Sequence, residues 1–239
     1  LLATQLPNGA WPNALATAIP NVYATSLALI ALAHTARHPA AQRAFTWLDT
    51  IKGREGHWLW RWKFHWFDRQ VKFDPARYGW PWVEGTVSWV APTALAVIAH
   101  RAWRRSSPRL PRAAAMLLDR ACPSGGWNAG NAEAFGVPLA AHPDFTAMGL
   151  LALRARSLHA HPIAARAAAY LTERLATTAS AYSLAWAILA LRNHEDAPIE
   201  ALQHRLRNNL AAHTETTATL ALAALALEQP PLNLLEPQP

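Results

Sequence analysis

Five stretches of the chain, residues 24–33, 91–99, 145–153, 183–191 and 217–227, are apolar nearly all the way round. A helix of that kind has to be buried on every side, so none of the five can stand at the surface alone. Between them run amphipathic stretches. Ala41, Ala44, Phe45 and Leu48 keep the i, i+3, i+4, i+7 spacing of a single helical face, and Leu110, Ala113, Ala114 and Leu117 repeat it. Four such segments open on a proline, at Pro39, Pro108, Pro162 and Pro198, a residue suited to the first helical position because its missing N–H costs nothing there. A buried helix alternating with a half-buried one predicts stacked helix pairs, with an inner and an outer ring.

Repetition supports that alternation. Anchors at Leu27, Leu95, Met148, Leu184 and Leu220 step by 68, 53, 36 and 36 residues, and Thr25, Thr93 and Thr146 each stand two residues before an anchor. A Gly-x-Trp element precedes each of the first three inner segments: Gly9-Ala10-Trp11, Gly56-His57-Trp58 and Gly125-Gly126-Trp127. Copies one and three align without gaps over eleven residues, Leu1 on Leu117, Pro7 on Pro123 and Trp11 on Trp127. Glycine supplies the left-handed residue that ends an outer helix, and the tryptophan is expected to plug the groove between pairs, buried and away from any cavity.

The long first step holds a different kind of segment. Residues 57–89 carry seven of the twelve tryptophans, with Phe64, Phe67, Phe73 and Tyr78. Trp58, Trp60, Trp62, Phe64 and Trp66 alternate with His57, Leu59, Arg61, Lys63 and His65, and a period of two predicts extended chain. An insertion over about 53–87, extended in part and with any hairpin confined to 57–75, follows from this.

Composition narrows the function. No apolar run reaches the roughly 18 residues of a membrane span. The net charge is +7, but Arg37, Arg43, Arg54, Arg101, Arg104, Arg154, Arg166, Arg192 and Arg205 are scattered along the chain, whereas a nucleic-acid surface gathers them on one face. Nucleic acid is therefore not an expected partner. Cys122 has no second cysteine to pair with. The start at Leu1 reads as a fragment or the end of a truncated helix, without a secretory leader. The compartment is left open, the cytoplasm favoured.

Gln5-Leu6-Pro7-Asn8-Gly9-Ala10-Trp11 resembles the Q-x-G-x-W structural element of squalene and hopene cyclases, although Lys52 and Ala121 stand where the later copies need Gln. The pattern over nearly the whole chain is similar to the prenyltransferase and squalene-cyclase repeat superfamily, and residues 56–93 and 125–131 look like bacterial members of it. The resemblance implies an all-α, incomplete α/α toroid of about five inner and four outer helices, in one domain over 1–229 with an irregular proline-rich tail at 230–239. It also implies an apolar cavity for an isoprenoid or other hydrophobic chain. The Asp-x-Asp-Asp acid of the cyclases is missing, because Asp49, Asp68, Asp74, Asp119, Asp144 and Asp196 are never closer than six residues. The Asp-x-Cys zinc ligands of the protein prenyltransferases are missing too, since Arg120 lies two residues before Cys122. No metal and no cofactor are expected.

Candidate site residues follow from position. Glu84, Asp144 and Glu215 lie near the starts of inner helices, with His142 and His213 close by, where helix dipoles attract anions. Asp144 or Glu84 would act as a general acid if an apolar cavity raised its pKa; Asp144, Ser180 and Thr214 are equally good helix caps. Trp58, Trp60, Trp62, Trp80, Trp82 and Trp89 read either as an aromatic wall that stabilises a cation or as a lid over open inner helices. Asn128 and Asn131 would orient a polar head group or serve as turn residues. Two functions fit: a toroid binding a hydrophobic chain, with atypical cyclase or transferase activity, or a noncatalytic helical scaffold that binds a protein partner.

Overall fold

The computed structural model describes residues 1–14, 16–34, 39–66, 72–178, 180–194 and 197–236, with the backbone alone at 64 and 65. Arg37, Phe67, Asp68 and Asp196 lie outside that set. The protein is mostly helical. In chain order the helices are α1 Val22–Ala33, α2 Pro39–Thr50, α3 Trp58–Trp66, α4 Val90–Ala102, α5 Leu110–Asp119, α6 Pro143–Ala155, α7 Pro162–Leu175, α8 Ala181–Leu191, α9 Ile199–Ala212 and α10 Thr217–Leu227. The five apolar stretches form α1, α4, α6, α8 and α10, each packed against the next. Behind them α2, α5, α7 and α9 each back one member of that row. The row bends back on itself, because the hydroxyl of Tyr23 on its first helix meets that of Tyr182 on its fourth at 2.9 Å.

Burial follows this order. α4 and α8 are enclosed almost completely. α10, with nothing beyond it, buries one side and leaves Leu220 49 % exposed; the expectation of all-round burial fails at the end of the row. Pro108 precedes α5, which begins at Leu110 with Pro111 in its first turn. Ser180 caps α8 by accepting from Ser183 N–H, and α10 is capped by Thr216, not Thr214.

Three tryptophans fasten the pairs in one way. The backbone N–H of Trp11, Trp80 and Trp127 donates to the hydroxyl of Thr25, Thr93 and Thr146, at 2.8, 2.9 and 3.1 Å. Each hydroxyl returns a longer bond to the carbonyl of its own tryptophan. Each indole N–H donates to a backbone carbonyl upstream, Leu1, Leu48 and Leu117 respectively. Trp11 and Trp127 are buried, as the repeat predicts. The second copy is corrected: Trp80 occupies the plug, and Trp58 is 70 % exposed. The span from carbonyl to indole is 10 residues in copies one and three and 32 in copy two, so 22 extra residues separate the second tryptophan from its outer helix. Gly126 adopts φ +75°, and a Cβ there would lie 2.4 Å from the Thr146 hydroxyl, so the third copy needs a glycine at this position, where the first copy carries Ala10.

The inserted segment is not extended at its start. Residues 58–66 form α3, where Trp58, Trp62 and Trp66, four apart, share an exposed face. Alternation alone cannot hold a strand without a partner, and aromatic residues cost a helix only a few tenths of a kcal/mol each. The strands lie elsewhere, against expectation. β1 Trp11–Pro12 pairs antiparallel with β2 Pro20–Asn21, and β3 Glu133–Ala134 with β4 Val137–Pro138. Phe135 and Gly136 between the second pair both have positive φ, the geometry of the tightest hairpin turns. Asn21, delivered by the first pair, caps α1 by accepting from Ala24 N–H.

A buried ion pair holds the insertion down. Glu55 accepts the Ser88 N–H at 3.0 and 3.1 Å and lies 3.7 Å from Arg120, both side chains enclosed. Arg120 also donates to Gly130 O and Asn131 Oδ1 and sits 4.0 Å above the Phe73 ring. Burial pushes the Arg120 guanidinium pKa down, against the pull of Glu55 and Asp119. The described part of the tail is irregular, as its prolines require, yet Leu234 and Leu235 are buried.

Candidate functional site

Helices α1, α4, α8 and α10 and the tail enclose a cavity of about 310 Å³ with almost wholly apolar walls. Leu27, Ile30 and Ala31 of α1 and His34 at its C-cap line it, the i, i+3, i+4, i+7 stripe of one helical face. Leu95 and Ile98 of α4, Trp186 of α8 and Leu222 and Leu225 of α10 complete the sides, and Leu232 and Leu234 of the tail close on it. One turn nearer the helix N-termini, the Tyr23–Tyr182 hydroxyl pair spans the row, and Trp82 stacks on Tyr23 at 5.0 Å. The volume is at the lower edge of the roughly 300–1,000 Å³ of small-molecule sites.

The cavity has little polar character, and each polar group in it lacks a partner. Trp186 is 3 % exposed, and its indole N–H makes no hydrogen bond; both ring nitrogens of His34 are likewise buried and unbonded. Desolvation lowers the His34 pKa, with Glu228 opposing it, so the ring is neutral near pH 7. No carboxylate is among the lining residues. Such a chamber can hold an apolar molecule and offers it a single indole donor and one imidazole.

None of the site residues singled out in the sequence lines this cavity. Asp144, half-buried in the first turn of α6, is close enough to Tyr23 to add to burial and Tyr182 in pushing that phenol pKa well up. Trp82 joins them through its stack on Tyr23, and its carbonyl accepts the Val22 N–H. Glu84 is exposed in the turn after Trp82, and His142 is the exposed residue before α6. Trp89 precedes α4 with its ring against Gly130. Trp60 lies under Arg54 and Lys63 at 4.2 and 4.6 Å, and Trp62, like Trp58, is exposed on α3. Trp80 is a plug, with Arg109 stacked on it at 4.0 Å. Asn128 and Asn131 bond within their own loop and to Arg120. Trp82 and Asp144 thus both lie near Tyr23, at the N-terminal ends of the row.

Sequence reasoning missed His34, Trp186, Leu232 and Leu234. In helices apolar on every side nothing marks which face looks inward, and the prolines of the tail predict its irregular backbone without its burial. The spacing of Leu27, Ile30, Ala31 and His34 was the available signal, since His34 is the polar end of that stripe. Among the described residues no group of three or more His, Cys, Asp or Glu is placed to hold a metal, and no helix is long and apolar enough to cross a membrane. No protein-family model matches the chain, and no curated protein matches it.

Proposed function

We propose that the protein is an incomplete α/α toroid of the prenyltransferase and squalene-cyclase repeat type, and that it binds a small hydrophobic molecule of isoprenoid character in its inner chamber. The observation that carries this reading is the apolar cavity of about 310 Å³ bounded by the first and last helices of the inner row. Burying an apolar ligand there gains about 25 cal/mol per Å² removed from water, with no charged wall group to desolvate. Atypical cyclase or transferase chemistry would draw on the Tyr23, Tyr182 and Asp144 group, one turn along the helices from the chamber.

Titration with geraniol and farnesol tests the binding. Trp186 fluorescence should be quenched saturably, and Leu222→Trp, which fills the chamber, should abolish the response. Quenching that is linear with concentration, or equal in Leu222→Trp, would refute the site.

A second reading, a noncatalytic subunit with a protein partner, draws on one specific observation. Trp58, Leu59, Trp62 and Trp66 expose a large apolar face on α3, and such faces mark interaction sites when contiguous. Light scattering on the parent and on Trp58→Ser/Trp62→Ser tests self-association through it. Identical monomer masses would remove that version of the idea.

A further inference from the structure

Most enclosed arginines of this protein serve its backbone. Arg109 donates to the carbonyls of Leu48 and Gly79, Arg120 to Gly130, Arg192 to Leu225, Ala226 and Leu232, and Arg205 to Leu175 and Thr178. Four other arginines, two of them exposed (Arg101 and Arg104) and two half-buried (Arg105 and Arg156), do none of this. Arg101, Arg104 and Arg105 at the end of α4 converge with Arg156 at the end of α6 on a cleft of about 460 Å³, which Ser106 and Ser107 also line. Arg101, Arg104 and Arg105 are neighbours in sequence; the side-by-side packing of α4 and α6 brings Arg156 to them.

Folding does not account for the cluster. The terminal carbonyls of both helices already accept backbone N–H groups, His100 O from Arg105 and Leu153 O from Leu158, each at 2.8 Å. Arg104 holds φ +50°, a left-handed helix end where glycine is the usual residue. Arg105 is committed to Asp49 at 3.6 Å, to Gln42 and to the Phe45 ring. Among the described residues the guanidiniums of Arg101, Arg104 and Arg156 make no hydrogen bond or ion pair, and the buried Nε of Arg156 is an orphan donor. No Asp or Glu lines the cleft. Four guanidiniums outweigh Asp49 and two helix C-termini of about half a negative charge each, so the site is net positive. Uncompensated like charges repel, and the forked geometry of arginine fits phosphate oxygens in pairs.

We propose that this cleft is a binding site for a phosphorylated small molecule carrying at least two negative charges, held by Arg101, Arg104 and Arg156. It shares no lining residue with the apolar cavity and stands whether or not that cavity is filled.

Calorimetric titration of the full chain with inorganic diphosphate, against sodium sulfate at matched ionic strength, tests the site. Diphosphate should bind one to one and at least tenfold more tightly than sulfate. Arg104→Ala/Arg156→Ala should weaken it at least tenfold, while Arg166→Ala on α7 leaves it unchanged. If the double variant does not fold, Arg104→Gln at an exposed position should still weaken binding several-fold. Equal binding of diphosphate and sulfate, or no effect of the cleft variants, overturns the proposal. So does single-stranded oligonucleotide binding that strengthens with length and is lost in the same variants, since that would mark a nucleic-acid face instead.

Discussion

The indole N–H of Trp80 donates to the carbonyl of Leu48 at 2.8 Å across 32 residues of chain, and this bond spans the extra residues that set the second copy apart from the other two. It returns the chain to the outer helix it left. Trp80→Ala should destabilise the fold by about 3–5 kcal/mol, as for other buried large-to-small changes. Trp58→Ala should stay within about 0.5 kcal/mol, as surface substitutions do. Urea unfolding of both variants checks the assignment, and reversed magnitudes would restore Gly56-His57-Trp58 as the second plug.

The threonine clamp makes a separate prediction. Thr146→Val keeps the shape and removes the hydroxyl, leaving the buried Trp127 N–H without its acceptor. An orphaned buried donor costs about 1–3 kcal/mol. The same loss is expected for Thr93→Val at Trp80 and for Thr25→Val at Trp11. A neutral result at all three would mean the backbone finds other partners and the clamp is incidental.

These threonines show what the sequence made legible. Their shared offset from the helix anchors, and the gapless match of Trp11 with Trp127, announced a repeat, because a motif that makes the same three bonds must keep the same residues. The second copy misleads because Gly56-His57-Trp58 keeps the glycine-x-tryptophan spacing while Tyr78-Gly79-Trp80 does not; the bonds to Thr93 and Leu48 mark Trp80 as the plug. The cavity stayed hidden for a related reason: Trp186 and Ile98 belong to helices whose every face is apolar, so no pattern contrast picks out the inward one. The arginine cleft depends on packing between α4 and α6, which local spacing does not encode.

Glu55 and Arg120 form the most enclosed ion pair among the described residues. Removing one member leaves the other charged in a poor solvent. Glu55→Ala should destabilise by about 3–5 kcal/mol, the usual cost of orphaning a buried charge. The double change Glu55→Leu/Arg120→Met should recover much of that loss, because apolar replacement of a whole buried pair is often neutral. A thermal melt of the single and double variants decides, and a double variant as unstable as the single would show that the other bonds of Arg120 dominate.

Asp49 gives a pH dependence. His100, 3.7 Å away, holds its carboxyl pKa below the ordinary value, aided by Ser107 and Arg105 and opposed by partial burial. A carboxylate with a depressed folded pKa contributes stability above its unfolded value, about 3.9. That contribution is lost as pH falls through the folded value. The parent should therefore lose stability on acidification below about pH 4 more steeply than Asp49→Asn. Parallel urea midpoints for the two proteins between pH 5 and 2, stepped by about one unit, would show that Asp49 does not carry this slope.

The tail is predicted to be a structural strap over the cavity. Leu232 and Leu234 line the apolar chamber, and Arg192, just past the end of α8, donates to the carbonyls of Leu232, Leu225 and Ala226, tying tail and last helix together. Leu234 and Leu235 are both buried, and burying each fully is worth about 1.5–3 kcal/mol. Leu234→Ser/Leu235→Ser should accordingly lower stability by about 3–5 kcal/mol and open one end of the chamber to water. Arg192→Ala should do the same in part, because it frees the tail without altering its apolar contacts. Binding of the dye anilinonaphthalene sulfonate reads the opening directly: fluorescence should rise in both variants well below their unfolding midpoints. Unchanged dye binding with lowered stability would mean the tail braces α8 and α10 without sealing anything.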